Sequence, residues 1–313
     1  MPNNQTKALV QGAAMVAIFT LMMILSAYIP FALMLVFLFA PLPFSWYSAK
    51  YKRSTSIFIA IVGCILTFLT SGLIMLPFAF IFAIVGIIIG DAIRRQKSKL
   101  YLFMSSGLAI LLSTAVVFLA YVRLAGINMI EIGIEEARKN YEQTTALSQN
   151  IPGQSAVTPE QIEAVTKMME STVPSTVTLG AFLVAFVLVT VNLSVLKRLG
   201  LNVPKFAPFQ HMRLPRSILW YYMIILCINL FMRPESGSTL DIIILNFSYI
   251  LWVLLLLQGI SFIHYFISKK GMPNVVKWIA TLLALPLASF MILLGIVDLG
   301  FDVRSLVKGK TKE

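Results

Sequence analysis

Apolar residues run along this chain in blocks of about 18 or more, broken by short polar and basic punctuation. A block of that length crosses a ~30 Å hydrocarbon layer as a helix. The blocks predict spans at about 8–28, 31–48, 55–72, 73–90, 101–125, 173–196, 217–232, 240–267 and 275–297. The alternating ten-residue segments of a membrane β-barrel do not occur. The expected fold is all-α: a polytopic transmembrane helical bundle of about nine spans, or eight if one fails to cross. Pro286 near the middle of segment 275–297, and Pro41 with Pro43 in segment 31–48, mark the two suspects.

The one long polar interruption, 126–172, separates five spans from four. It divides the chain into 1–125, 126–172 and 173–313. Within it, Ile130, Ile134, Ala137 and Tyr141 line one side of a helix over about 129–147. "TPEQ" at 158–161 reads as a helix start, with Thr158 as N-cap, Pro159 at the first helical position and Gln161 closing a capping box. Ile162, Val165 and Met169 continue it as an apolar stripe. Two short amphipathic helices are therefore expected, joined through "NIPGQSA" at 150–156.

Charge orients the bundle. Basic clusters fall at 50–53, 94–99, 197–198 and 269–270, and all four share one side if the N-terminus is cytoplasmic. Segment 126–172 then lies outside the cell. Its seven acids against three bases give a net −4, so the rest of the chain carries +16 of the total +12. The basic C-terminal tail, with Arg304, Lys308, Lys310 and Lys312, conflicts with an odd number of crossings.

Composition narrows the function classes. Hydrophobic residues make up 58% of the 313 and charged residues 12%, far below the roughly one quarter of a soluble protein. The partner implied by the basic clusters is the lipid bilayer, not nucleic acid. The only cysteines, Cys64 and Cys227, lie in apolar blocks and form no metal-binding or redox pattern. No zinc motif, serine elbow or phosphate loop occurs. No enzyme activity, cofactor, metal or ATPase is expected. Mid-span carboxylates, the usual mark of ion-driven transport, are also missing, since Asp91 and Asp298 sit at span ends.

Small and uncharged polar residues remain. Ala13 and Ala17 form a small-xxx-small pair in the first span; Ala79, Ala83, Gly86 and Gly90 form a longer stripe in the fourth. Such faces let helices approach closely, either inside the protein or against a partner. Arg123, Asn229, Asn246 and Tyr249 fall toward the expected outer half and are candidates to ring a solute. The competing roles are snorkelling for Arg123 and interhelical hydrogen bonding for Asn246. Gln258 and Ser261 share a face, with His264 about a turn on, and read as polar packing. In "FQHMRLPRSILWYY", residues 209–222, Arg213 and Arg216 are expected at headgroups, and Trp220, Tyr221 and Tyr222 in the aromatic belt.

The run "LKRLGLNVPKFAPFQHMRLPRSILW" and the late "LLGIVDLGFDVR" resemble the YybS-like family of bacterial membrane proteins. Gly295, Asp298 and Arg304 fit that family's lG-x-x-D…R ending. The family is in turn distantly similar to the substrate-binding S-components of energy-coupling-factor transporters. In those, an AxxxA face on the first helix contacts a coupling subunit, which Ala13 and Ala17 match. Three additional spans and the acidic segment depart from that pattern. The resemblance implies a solute-binding, transporter-like protein that relies on energising or coupling membrane subunits, its solute unknown. The alternative is a non-transporting membrane scaffold or regulator.

Overall fold

A computed structural model of the protein describes residues 4–29, 31–148, 158–205, 207–235 and 237–305. Among these, helices account for all regular structure: α1 (Asn4–Tyr28), α2 (Ala32–Phe39), α3 (Leu42–Lys50), α4 (Arg53–Ser71), α5 (Leu76–Arg94), α6 (Lys99–Ala120), α7 (Met129–Ser148), α8 (Pro159–Arg198), α9 (Ser217–Met232), α10 (Thr239–Lys269), α11 (Asn274–Ala284) and α12 (Ala288–Phe301). A π-helical turn, Tyr121–Ala125, extends α6. The helices stop where the sequence offers stop chemistry. Gly200 and Gly271, both at positive φ, close α8 and α10 with paired 6→1 and 5→2 backbone bonds. The link 150–156 lies outside the described residues.

Among the described residues, seven segments are long and apolar enough to cross a membrane: α1, α2 with α3, α4, α5, α6 with its π turn, α8 and α10. The pair α11 and α12 qualifies only jointly and bends by 112° at its break. Pro286 explains the break, because a proline inside a helix lacks the N–H and clashes with the preceding turn. Helix α9 has 16 residues, about 24 Å, short of the ~30 Å core. The count is therefore seven, or eight with the bent pair, and the ninth expected span is not confirmed.

One further expectation changes. The second amphipathic helix is not short or separate: it is the beginning of α8, which runs through 40 residues into the sixth span with Pro174 inside it. The capping box is as expected, with Thr158 N donating to Gln161 Oε1 at 3.1 Å and Gln161 N to Thr158 Oγ1 at 3.3 Å. The chain forms two compact units. One comprises Met1–Gly133 and Val177–Phe206, the other Ile134–Thr176 and Ala207–Glu313.

In the first unit, Phe19, Met23, Phe44, Tyr47, Ile89, Leu102, Leu188 and Leu196 form a core with almost no exposure. Helix α5 presses its small-residue stripe onto α3. A Cβ at Gly86 would stand 2.6 Å from the Pro41 carbonyl oxygen, and one at Gly90 would collide with the Ser45 carbonyl. That stripe is internal packing. The α2–α3 break at Pro41 is patched from α8, where buried Asn192 donates to the Leu38 carbonyl at 3.0 Å.

In the second unit, α10 and α12 cross through reciprocal glycines. A Cβ at Gly259 would collide with the Met291 carbonyl, and one at Gly295 with the Leu255 carbonyl. Each glycine thus abuts a residue four before the other, so the two backbones touch along a full turn. This contact sets the position of the site described next.

Candidate functional site

Asp298 lies three residues after Gly295, on the same face of α12. The glycine contact brings that face against α10, and Asp298 meets Gln258, whose Nε2 donates to Asp298 Oδ2 at 2.6 Å. Past α12 the chain turns through Asp302, at φ +46°, and returns Arg304 to the same place. Arg304 Nε and Nη2 each lie 2.9 Å from Asp298 Oδ2, while Oδ1 accepts from Nε at 3.2 Å. The side chains of Arg304 and Asp298 are 3% and 1% exposed. This is a buried ion pair in the interior of an apolar bundle.

The remaining hydrogen-bonding groups are used on segment 207–216. Arg304 Nη1 donates to the Gln210 carbonyl at 2.8 Å, and Nη2 reaches Ser261 Oγ at 3.3 Å. Ser261 Oγ lies 2.8 Å from the Phe209 carbonyl and 2.9 Å from that of Met212. Gln258 Oε1 accepts from Leu214 N at 3.0 Å. Gln210 Oε1 accepts from Ser268 Oγ and, at 3.3 Å, from Lys277 Nζ. One carboxylate and one guanidinium, with Gln258 and Ser261, therefore bind together α10, α12, the chain after α12 and an irregular segment whose Gln210 carbonyl and Leu214 N–H take their partners here. Rings of Phe262 and Tyr265 lie 6.0 and 5.4 Å from the guanidinium carbon.

Burying two charges costs several kcal/mol each, and their attraction offsets this only with good geometry and every remaining group satisfied. The node meets that condition. It stores no free acid or base: Asp298 has Arg304 and Gln258, and Arg304 has Asp298, Ser261 and Gln210. The arrangement suits fastening rather than proton transfer. Gln258 and Ser261 join it as the packing residues expected of them. His264 does not; it pairs with Thr281 Oγ1 at 2.8 Å.

Asn246, one of the four solute-binding candidates, has an equally specific task. Its Oδ1 accepts from Ser175 N at 2.8 Å, and its Nδ2 donates to the Ser171 carbonyl at 2.7 Å and to the Ile242 carbonyl at 2.8 Å. Ser175 N–H and Ser171 C=O are the groups an undisturbed helix would pair with each other. The amide lies across both, one residue after Pro174. It splices α8 where the proline disturbs it, and all three of these amide contacts go to backbone. Tyr249, on the same helix, packs edge-on against Trp252 at 5.6 Å. Asn229 is exposed on α9, and Arg123 is exposed on the π turn of the first unit. An open pocket of about 400 Å³, bounded by Leu33, Met34, Phe37 and Leu38, holds none of these four residues.

The arginines of the interfacial segment meet an acid of the protein itself. Arg213 pairs with Asp302, and Arg216 lies 3.8 Å from the same carboxylate. Both thus have an acid partner within the protein besides any headgroup. Trp220 and Tyr221 stand exposed, Tyr222 half-buried. Ala13 and Ala17 both face outward from α1, while Gly12 and Val16 beside them are buried.

Sequence reasoning placed Asp298 at a span end and read Arg304 as part of the basic tail. The signal that links them is the spacing Gly295-x-x-Asp298 facing the Gln258-x-x-Ser261 pair. The first spacing puts a helix-contact glycine and a carboxylate on one face of α12, and the second puts two polar groups on one face of α10.

A family model described as "Predicted membrane protein (DUF2232)" matches residues 17–299, which include Gly295 and Asp298. The "Uncharacterized protein YybS" of Bacillus subtilis (strain 168) is 28% identical over 315 residues, spanning 97% of this chain and all of that protein. No solved structure matches. The chain belongs to the DUF2232 family of predicted membrane proteins, in keeping with its YybS-like sequence features.

Proposed function

We propose that the protein is a membrane scaffold or regulator that engages a partner through its acidic segment, rather than a carrier that moves solute by itself. The observation that carries this reading is α8. Its 40 residues make a helix of about 60 Å, twice what the ~30 Å bilayer core requires. The surplus holds Glu160, Glu163 and Glu170, and it continues through Pro174 into the apolar stretch of the same helix. A partner bound to that end acts directly on a membrane-spanning element. Asn246 supports the same reading, because its amide is spent on α8 and is not free to hold a ligand. The role needs no catalysis and no bound cofactor. An even count of eight crossings would put the basic C-terminal tail on the side of the N-terminus and leave the acidic segment outside the cell.

A second reading, the solute-binding S-component-like protein, is favoured by Ala13 and Ala17, whose outward exposure on α1 suits a coupling subunit. Purification from native membranes, with mass spectrometry of co-purifying proteins and small molecules, separates the two. Loss of a protein partner on Glu135→Lys/Glu163→Lys, with Ala13→Leu/Ala17→Leu unchanged, supports the scaffold. The reverse pattern, with a bound small molecule, replaces it by the transporter-like reading. Exposed alanines should tolerate leucine with under ~0.5 kcal/mol change in stability. A partner retained by every variant would refute both docking faces.

A further inference from the structure

We propose that the turns joining α3 to α4 and α5 to α6 form one binding surface for anionic phospholipid headgroups. Residues 50–53 and 91–99 contain seven basic residues against the single acid Asp91. The close contact of α5 on α3 brings the two turns together, and Arg94 locks them: Nη1 donates to the Tyr51 carbonyl at 2.6 Å while Nη2 pairs with Asp91. Arg95 also lies on Asp91, at 3.0 Å. Asp91 is thus spent on two arginines at the base of the patch, and Lys52, Arg53 and Lys97 stand exposed around it.

Two aromatic rings mark the depth. Lys50 Nζ lies 3.8 Å from the ring centre of Trp46, and Lys97 Nζ 5.8 Å from that of Tyr101. Trp and Tyr settle at headgroup level in a bilayer, so the cations beside them meet phosphates rather than acyl chains. A loop of scattered positive charge would only attract the leaflet in general. Here the Arg94 clamp holds cations from two separate turns in one place before any lipid arrives, which lowers the ordering cost of binding.

The test uses the full-length protein in a neutral detergent with equimolar phosphatidylglycerol and phosphatidylcholine, counting bound lipid by native mass spectrometry. Wild type should retain phosphatidylglycerol preferentially, and the preference should fall in high salt, which screens exposed charges. Lys52→Gln/Lys97→Gln should weaken phosphatidylglycerol binding by about fivefold per lysine, roughly 25-fold together. Phosphatidylcholine binding should not move. Lys52→Arg/Lys97→Arg, which keeps the charge, should behave as wild type, so a folding defect in the Gln pair does not decide the matter. Lys139→Gln/Lys167→Gln removes equal charge elsewhere and should change binding less than twofold. No preference in wild type, a silent Gln pair, an Arg pair that loses binding, or an equal loss in the Lys139/Lys167 control would each overturn the proposal.

Discussion

Replacing Arg304 by Met tests whether the buried node fastens the second unit. Methionine keeps the length and apolar bulk of the side chain but removes the guanidinium. Asp298 then loses two contacts at 2.9 Å and one at 3.2 Å, and keeps only Gln258 Nε2 at 2.6 Å. Its carboxylate, about 1% exposed, has no water to replace the lost partner. Removing one member of a buried pair costs about 3–5 kcal/mol, and the Gln210 carbonyl loses its donor as well. Adding Asp298→Asn removes the stranded charge, while the new amide oxygen still accepts from Gln258. The double variant should therefore recover about half of the loss or more, a coupling of at least ~1.5 kcal/mol within the range for contacting residues. Unfolding of the purified protein in mixed micelles, followed for wild type, both single variants and the double, measures the cycle. Arg304→Met within ~1 kcal/mol of wild type would refute the fastening role. So would a double variant whose cost equals the sum of the singles.

Other consequences follow from the packing. Asn246→Leu should destabilise the protein by about 2–4 kcal/mol, since it strands Ser175 N–H and Ser171 C=O away from water; adding Pro174→Ala lets α8 repair its own ladder and should restore much of the loss in the same unfolding assay. Gly90→Ala should cost ~1–3 kcal/mol by driving a methyl into the Ser45 carbonyl, whereas Gly180→Ala, with open space around it, should be neutral or gain up to ~1 kcal/mol in helix propensity. In a background lacking Cys64 and Cys227, an impermeant thiol reagent on intact cells should label a cysteine at the exposed position of Glu136 and spare one at Ser54; labelling at position 54 alone would invert the proposed orientation.

Much of the architecture was legible in the sequence because a bilayer applies a coarse rule. A helix that crosses it must be apolar over about 20 residues, and α1, α4, α5, α6 and α10 obey that rule closely enough to be read off directly. The cap at Thr158 and the breaks at Pro41 and Pro286 were likewise local chemistry, written in a few adjacent residues. Span number was not local. Whether α9 and the bent α11–α12 pair cross depends on a few residues of length and on an angle that composition does not encode.

The polar residues were harder still, because their meaning lies in a partner far away in the chain. Asn246 reads alone as a costly amide in search of a ligand. Only the tertiary structure supplies Ser171 and Ser175, 75 and 71 residues distant, and turns it into a splice. Asp298 reads alone as the end of a span and Arg304 as tail charge. The glycine-mediated contact of α12 on α10, and the turn at Asp302, carry them onto Gln258 and Ser261. The sequence by itself determined where the chain could lie in a membrane, since transfer free energy is additive along each segment. Which polar groups are available to a ligand and which are consumed in holding the fold was decided by packing, because hydrogen bonding in a dry interior depends on proximity that no single segment contains.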